Sequence, residues 1–564
     1  MPGRDFMSQI SVSDLTFCYE GSFDNIFENV SFSIDTDWKL GFVGRNGKGK
    51  TTFLKLLQGE LEYRGTISAS TAFDYFPYQV DERRQKACLG EILEEIRPDC
   101  ELWRVICELD RLQAPAEVLY RPFYTLSYGE RTKVMLAILF SRDNYFLLID
   151  EPTNHLDAGA RELVKAYLRS KKGFILVSHD RDLLDACVDH VLALNRRTIE
   201  VQSGNFSSWW ENRERRDAFC RAENEKHQKE IKALGRAAER AQRWAEANER
   251  SKIGFDPAKE HDRGNGTRPY IGAKTKKMQR RVKNLQTRID SEIAQKEGLL
   301  QDVENPAELK LMPLSFRREV LVRARDYTLA YENGDGSCRV VFDKLCFELR
   351  RGERVFLNGS NGCGKSSLLK AILAQQEKKN GNAAAGYGKE DRNRAETDGE
   401  NIWSGETDRT NVWRGETDCT NAWHGETDCA GIRENGLLEI SSGLRISYVS
   451  QDTSFLHGDI GSFCAQQMLE ESLFKAVLRQ LDMERAQFAK NMEDFSEGQK
   501  KKVLLAASLL QQAHLYIWDE PLNYIDVFTR MQIEELILKY APTMLIVEHD
   551  VRFRERIATK IVDL

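Results

Sequence analysis

Nowhere in these 564 residues is there an apolar run approaching the ~20 residues that a bilayer-spanning helix needs. The start of the chain is polar by Asp5 and has no apolar signal core, so a cytoplasmic protein is expected. Twelve cysteines are present, yet no two stand as Cys-x-x-Cys, and the nine histidines form no matching set. Zinc sites and disulfide frameworks are therefore unsupported, and reduced thiols are expected. An excess of positive charge is also missing. The formal net charge is −6, which argues against a protein that coats nucleic acid over its whole surface. One stretch departs from this average: Arg268 to Lys283 holds seven Lys or Arg and no acid. The length exceeds what one core serves, so two or three domains are expected.

Ile10 to Tyr19 and Asn29 to Asp35 alternate apolar and polar residues, as half-buried strands do. Trp38 to Val43 then reads as a strand running into Gly44-Arg45-Asn46-Gly47-Lys48-Gly49-Lys50-Thr51, with a helix over Thr52 to Leu57. This is a phosphate-loop pattern in its strand–loop–helix setting. Its glycines let backbone N–H groups converge on phosphate oxygens, and the helix N-terminus adds favourable partial charge. Lys50 is expected to reach the outer phosphates and Thr51 to ligate magnesium. The apolar strand Tyr145 to Ile149 ends in Asp150-Glu151. Asp150 suits the metal, and Glu151 suits orienting or deprotonating the attacking water. Phe174 to Val177 ends in Ser178-His179-Asp180, which places His179 to sense the γ-phosphate.

These pieces resemble the ATP-binding-cassette family. Leu126-Ser127-Tyr128-Gly129-Glu130 matches its signature motif, and Gln79 its glutamine loop. The resemblance implies that the signature of one cassette caps the nucleotide held by the other, through Ser127, Gly129 and Glu130. It implies that Tyr19 stacks on adenine, that Thr52 lies beside the phosphates, and that Gln79 joins the metal shell. The pattern returns after residue 320. Gly359-Ser360-Asn361-Gly362-Cys363-Gly364-Lys365-Ser366 follows the strand Arg354 to Leu357, and Phe495-Ser496-Glu497-Gly498-Gln499 is a second signature. Leu515 to Trp518 leads into Asp519-Glu520, and His549 completes the set. By resemblance Tyr331 is the second adenine stack, Ser367 lies beside Ser366, and Gln451 joins Ser366 and Asp519 at the metal. Glu151, Glu520, His179 and His549 are the expected catalytic groups. ATP and Mg²⁺ are the expected cofactors at two complete sites. Leu522-Asn523-Tyr524-Ile525-Asp526 departs from Thr153-Asn154-His155-Leu156-Asp157, a difference that allows unequal turnover at the two sites.

An insertion is expected at about 378–435. In it Trp403, Trp413 and Trp423 are ten residues apart, each followed after one residue by Gly-Glu-Thr-Asp. Such short polar copies bury little, so a surface loop is expected, with a small solenoid-like stack as the alternative.

The middle carries no nucleotide motif. Ile231, Leu234, Ala238, Ala241 and Ala245 step by threes and fours, as do Met278, Val282, Leu285 and Ile289. Two such seams suit an antiparallel helical hairpin with its tip at about 251–273. An arm of ~40 residues reaches ~60 Å. Glu211 to Arg250 has eleven basic and nine acidic residues, whereas Ser251 to Asp290 has eleven against four. That one-sided charge is the footprint of phosphate-backbone binding. Arg268, Lys274, Lys276, Lys277, Arg280, Arg281 and Lys283 are the expected RNA contacts, and Phe255 and Tyr270 can stack on a base. A charged, solvated spacer is the plain alternative.

The fold class is thus α/β: a first cassette at 1–208, a linker at 209–314 and a second cassette at 315–564. Two soluble cassettes joined by a basic helical linker resemble the ABC-F family of translation factors. The stretch Tyr19 to Val30 is similar to its antibiotic-resistance branch of the Lsa and Vga type, and 47 positions between Gln79 and Ser127 leave no room for an arm insertion. The chain ends soon after His549, so no C-terminal extension is expected. The resemblance implies binding to the E site of the bacterial 70S ribosome, contact with 23S rRNA and P-site tRNA, and displacement of lincosamides, pleuromutilins and group A streptogramins. A housekeeping factor for stalled ribosomes is the alternative, and a transporter ATPase subunit a weaker one.

Overall fold

The computed structural model describes residues 9–19, 25–78, 80, 84, 86–96, 100–142, 144–154, 156–195, 198–250, 309–332, 338–390 and 432–564, with eight positions between 280 and 292. Met1–Ser207 and Ala307–Leu564 form one compact unit, and Ser208–Pro306 a second. Gln79, the linker tip and the Trp repeats lie outside the described residues, as do Arg268, Lys274, Lys276, Lys277 and Arg281.

The first unit repeats one plan. Its first half runs β1 (Gln9–Phe17), β2 (Phe27–Asp35), β3 (Lys39–Val43), α1 (Lys50–Gln58), β4 (Arg64–Ala69), β5 (Ala72–Phe76), α2 (Leu89–Ile96), α3 (Leu102–Arg111), α4 (Tyr128–Phe140), β6 (Tyr145–Asp150), α5 (Ala158–Arg169), β7 (Phe174–Val177), α6 (Arg181–Cys187), β8 (His190–Leu194) and β9 (Ile199–Ser203). Helix α7 (Phe206–Arg250) follows. The second half runs β10 (Val320–Glu332), β11 (Cys338–Arg350), β12 (Arg354–Asn358), α8 (Lys365–Glu390), β13 (Ile432–Ile440), β14 (Ile446–Val449), α9 (Ile460–Gln466), α10 (Glu471–Gln480), α11 (Glu497–Leu510), β15 (Leu515–Asp519), α12 (Val527–Tyr540), β16 (Met544–Val547), α13 (Val551–Ile557) and β17 (Lys560–Asp563).

Each half holds a mainly parallel sheet, ordered β5-β6-β7-β3-β8-β9 in the first and β14-β15-β16-β12-β17 in the second. Strands covered on both faces read as continuous apolar runs, and β7, β15 and β16 are buried along their whole length. Each half adds an antiparallel sheet, β2-β1-β4 and β11-β10-β13. Phe53 of α1 fills the space between layers, with ring centroids 5.9 Å from Phe27 and 5.4 Å from Phe42.

Register sets up the chemistry. Phe42 and Asp150 both pair with Val177, so β3, β6 and β7 end at one level. The phosphate loop, Asp150-Glu151 and Ser178-His179 therefore leave a common sheet edge, the carboxyl edge where open α/β sheets bind ligands. In the second half Asp519 pairs with Val547 and Phe356 with Ile546, giving the same convergence.

One expectation needs correction, and another is extended. Residues 378–390 are not a surface loop. Helix α8 runs on through them to Glu390, and β13 already begins at Ile432. The seam read on α7 through Ile231 and Leu234 is present and extends further toward the start of the helix. Arg213, Asp217, Cys220, Asn224, His227, Ile231 and Leu234 form one partly buried stripe, stepping by fours and threes. Its first five members are polar, ionic or Cys, which hides them from a reading of apolar period alone.

Candidate functional site

Two clefts form where the halves meet. The first, of about 850 Å³, brings Asn46, Gly47, Lys50, Thr51, Asp150, Glu151 and His179 together with Ser496, Gly498 and Gln499 of the second signature. The second, of about 580 Å³, joins Tyr331, Asn361, Gly362, Gly364, Lys365, Ser366, Ser367, Gln451, Glu520 and His549. Of the first signature only Tyr128 lines it, so Ser127, Gly129 and Glu130 are not brought to the second loop in this geometry.

The loops are shaped by glycines no other residue replaces. Gly49 has φ 102°, and a Cβ there would lie 2.6 Å from Ile26 Cγ2; Gly364 has φ 100° and would collide with Val341. Both lysines lie against their own loops. Lys50 Nζ donates to the carbonyls of Gly44 at 2.7 Å and Arg45 at 3.3 Å, and Lys365 Nζ to those of Gly359 at 2.8 Å and Ser360 at 2.9 Å. Burial lowers the Lys50 pKa, opposed by Asp526, Glu151 and Asp150.

Thr51 Oγ1 donates to Asp150 Oδ2 at 3.0 Å, and Tyr75 OH to the same oxygen at 3.1 Å. Burial raises the Asp150 carboxyl, and pushes Asp519 up to about 6 although Ser366 bonds to it. Asp519 Oδ1 is buried without a hydrogen-bond partner. A hydroxyl next to a buried carboxylate with a spare oxygen fits a hard divalent cation.

Glu151 and Glu520 stand at φ 52° and 46°, held there by N–H bonds of 2.9 Å to Val177 O and Val547 O. Burial, then the nearby Asp150 charge, pushes Glu151 up to about 8. His179 Nε2 lies 3.4 Å from Glu151 Oε1, and His549 Nε2 3.5 Å from Glu520 Oε1. Burial pushes His179 well below its ordinary value, with Lys50 adding to the effect. Glu520 Oε2 accepts from Gln451 Nε2 at 2.9 Å and Asn523 Nδ2 at 2.7 Å. Tyr19 OH is 2.9 Å from Thr52 Oγ1, and Tyr331 OH donates to Ser367 Oγ at 2.9 Å, a matched pair on the two helix starts. Ser127 and Ser496 each N-cap their helix in a capping box, with Glu130 and Gln499 returning the bond.

Several contacts between the halves were not foreseen. Asn46 Nδ2 donates to Tyr524 O across the interface at 2.6 Å, and a Cβ on Gly498 would meet that same carbonyl at 2.9 Å. Arg181 pairs with Glu534, and Arg552 with Asp182 and Asp185, again between halves. Arg552 Nη1 also donates to Ser207 Oγ at 3.4 Å, at the start of α7. The partners are hundreds of residues apart, so no local pattern flags them. Of the linker residues expected to touch RNA, Arg280 and Lys283 are described, both helical and exposed.

The family described as ABC transporter matches residues 27–154 and 342–523, more than half of the chain. This chain belongs to that ATP-binding-cassette family and is an ATP-hydrolysing enzyme. Over 560 residues it is 27% identical to the ribosome protection protein VmlR of Bacillus subtilis (strain 168), covering 95% of this chain and 84% of that one. The energy-dependent translational throttle protein EttA of Haemophilus influenzae is 24% identical over 588 residues, covering 96% and 89%. The resemblance to ABC-F proteins drawn from the motifs holds in these relatives. Among solved structures, the archaeal ribosome recycling factor aABCE1 superposes with a TM-score of 0.53 at 18% identity, over 98% of this chain and 87% of that one, a likeness of fold. Among the described residues no helix is long and apolar enough to cross a membrane.

Proposed function

We propose that this chain is a ribosome-protection ATPase. ATP bound in both clefts closes the two halves. The linker then enters the E site of a bacterial 70S ribosome, meets 23S rRNA and the P-site tRNA, and its tip frees the peptidyl-transferase centre of lincosamide, pleuromutilin or streptogramin A drugs. Hydrolysis reopens the halves and lets the protein leave. The observation that carries this reading is the similarity to VmlR along 95% of the chain, linker included.

At each cleft the roles divide among the residues described. Lys50 and Lys365 neutralise the outer phosphates once drawn off their loop carbonyls. Thr51 with Asp150, and Ser366 with Asp519 and Gln451, would hold Mg²⁺, whose charge would stabilise the phosphate oxygens. Gln79 is assigned the same part in the first cassette. Glu151 and Glu520 take the proton of the attacking water, and His179 and His549 position them. Ser496, Gly498 and Gln499 cap the first nucleotide. Ser127, Gly129 and Glu130 are assigned to the second, which requires further closure there. ATP favours the closed state only by contacts made there and not in the open one.

Tyr19 and Tyr331 are assigned to the adenines. Tyr19→Ala is expected to raise the ATP concentration for half-saturation by about fivefold to a hundredfold, whereas Tyr19→Phe keeps the ring and most of the affinity. Titration of a nucleotide analogue checks this, and equal losses in both variants would assign the hydroxyl instead.

Shortening 251–273 is expected to leave ATP hydrolysis within about twofold while abolishing drug protection, because hydrolysis groups and tip are separate in the chain. Drug susceptibility of a sensitive strain expressing each form, beside the purified ATPase rate, is the decisive pair of measurements. A second reading, a housekeeping factor for stalled ribosomes, is favoured by the likeness to EttA. It predicts ribosome binding with no change in susceptibility.

A further inference from the structure

The first phosphate loop carries two charges that the second does not. Arg45 and Lys48 stand where the second loop has Ser360 and Cys363. Both reach the other half: Arg45 Nη1 lies 3.3 Å from Asp482 Oδ1, and Lys48 Nζ 3.4 Å from Glu484 Oε1.

Asp482 and Glu484 lie on a bend after α10. Leu481 caps the helix, Asp482 takes φ 63°, and Glu484 starts the short turn Arg485–Ala489. The first half builds the same bend after α3, with Leu112 as the cap, Gln113 at φ 50° and Pro115 before the turn Ala116–Tyr120. Asp482 thus corresponds to Gln113, and Glu484 to Pro115. At the second interface the four matching positions are Ser360, Cys363, Gln113 and Pro115, a set with no cation and no carboxylate, so the ion pairs cannot be repeated there. The clefts differ in step with this. Ser496, Gly498 and Gln499 line the first, whereas the second receives Tyr128 alone from the opposing signature.

We propose that Arg45–Asp482 and Lys48–Glu484 hold the first cleft shut over its nucleotide, so that this site releases nucleotide more slowly than the second. The inference rests on the ATP sites alone and stands whether or not the chain meets a ribosome. Each partly exposed pair is worth a factor of only about 1.5 to 5, so together they give a difference of about twofold to twenty-fivefold. Partly exposed pairs are also screened by salt.

The test is the release of a fluorescent ATP analogue from the full chain carrying Glu151→Gln and Glu520→Gln. Two phases are expected. Raising KCl from about 0.05 M to about 0.5 M should speed the slow phase severalfold and leave the fast phase nearly unchanged. Arg45→Ser with Lys48→Ser should speed the slow phase about twofold to twenty-fivefold. Arg45→Asp should do likewise, and adding Asp482→Arg should restore it. Grafting Ser360→Arg with Gln113→Asp should slow the fast phase. A single phase in the chain with native Arg45 and Lys48 overturns the proposal, as does a slow phase indifferent to salt, or a charge swap that restores nothing. The salt titration needs no change at the four charged positions, so it decides the matter even if a loop variant fails to fold.

Discussion

Replacing Glu151 and Glu520 together by glutamine is expected to cut ATP turnover by about 10²- to 10⁴-fold while ATP still binds. Glutamine keeps the size and the hydrogen bonds of the carboxylate but cannot take a proton from water. The backbone supports that reading: both residues are held at positive φ by a bond to the neighbouring strand, a strained setting that positions one side chain. The binding groups, Lys50 and Lys365 on their loops, are untouched. Steady-state turnover beside nucleotide titration separates the two effects. In a pelleting assay the double variant with ATP should remain on 70S ribosomes. Turnover within about tenfold of the unaltered chain would move the base to another group. Free sedimentation with full ATP binding would sink the ribosome reading and leave the ATPase chemistry intact.

Glu534→Ala is expected to destabilise the joined halves by about 3–5 kcal/mol. Glu534 is fully buried, and Arg181, its partner from the other half, is only 5% exposed. Arg181 Nη1 donates to Glu534 Oε2 at 3.2 Å, and Arg556 Nη1 to the same oxygen at 2.8 Å. Removing the carboxylate strands the Arg181 charge away from water, which costs more than the pair contributed. Replacing both, as Glu534→Leu with Arg181→Met, is therefore expected to cost much less than the single change. Denaturant midpoints of the full-length variants give the comparison. If the double variant is no better than the single, shape rather than charge holds this contact.

The parallel strands were legible because buried strands have nowhere to hide polar residues. Apolar runs alone delimit Phe174 to Val177 to the residue and mark Tyr145 and Leu515 as strand starts. The phosphate loops were legible because only glycine tolerates their backbone. What escaped was whatever depends on the meeting of the halves. Asn46 with Tyr524, Arg45 with Asp482 and Arg181 with Glu534 are ordinary polar residues until folding brings them together. The second escape was the polar part of the α7 stripe, where Asn224 and His227 occupy positions that an apolar count passes over.

Helix α7 is a single element of 45 residues. At ~1.5 Å per residue it is ~67 Å long. Its base is tethered: Arg552, three positions beyond His549, grips Ser207 in its first turn and Asp185 beside it. The first turn of α7 is thus pinned, inside its own compact unit, by a side chain only three positions along the chain from the histidine at the second phosphate site.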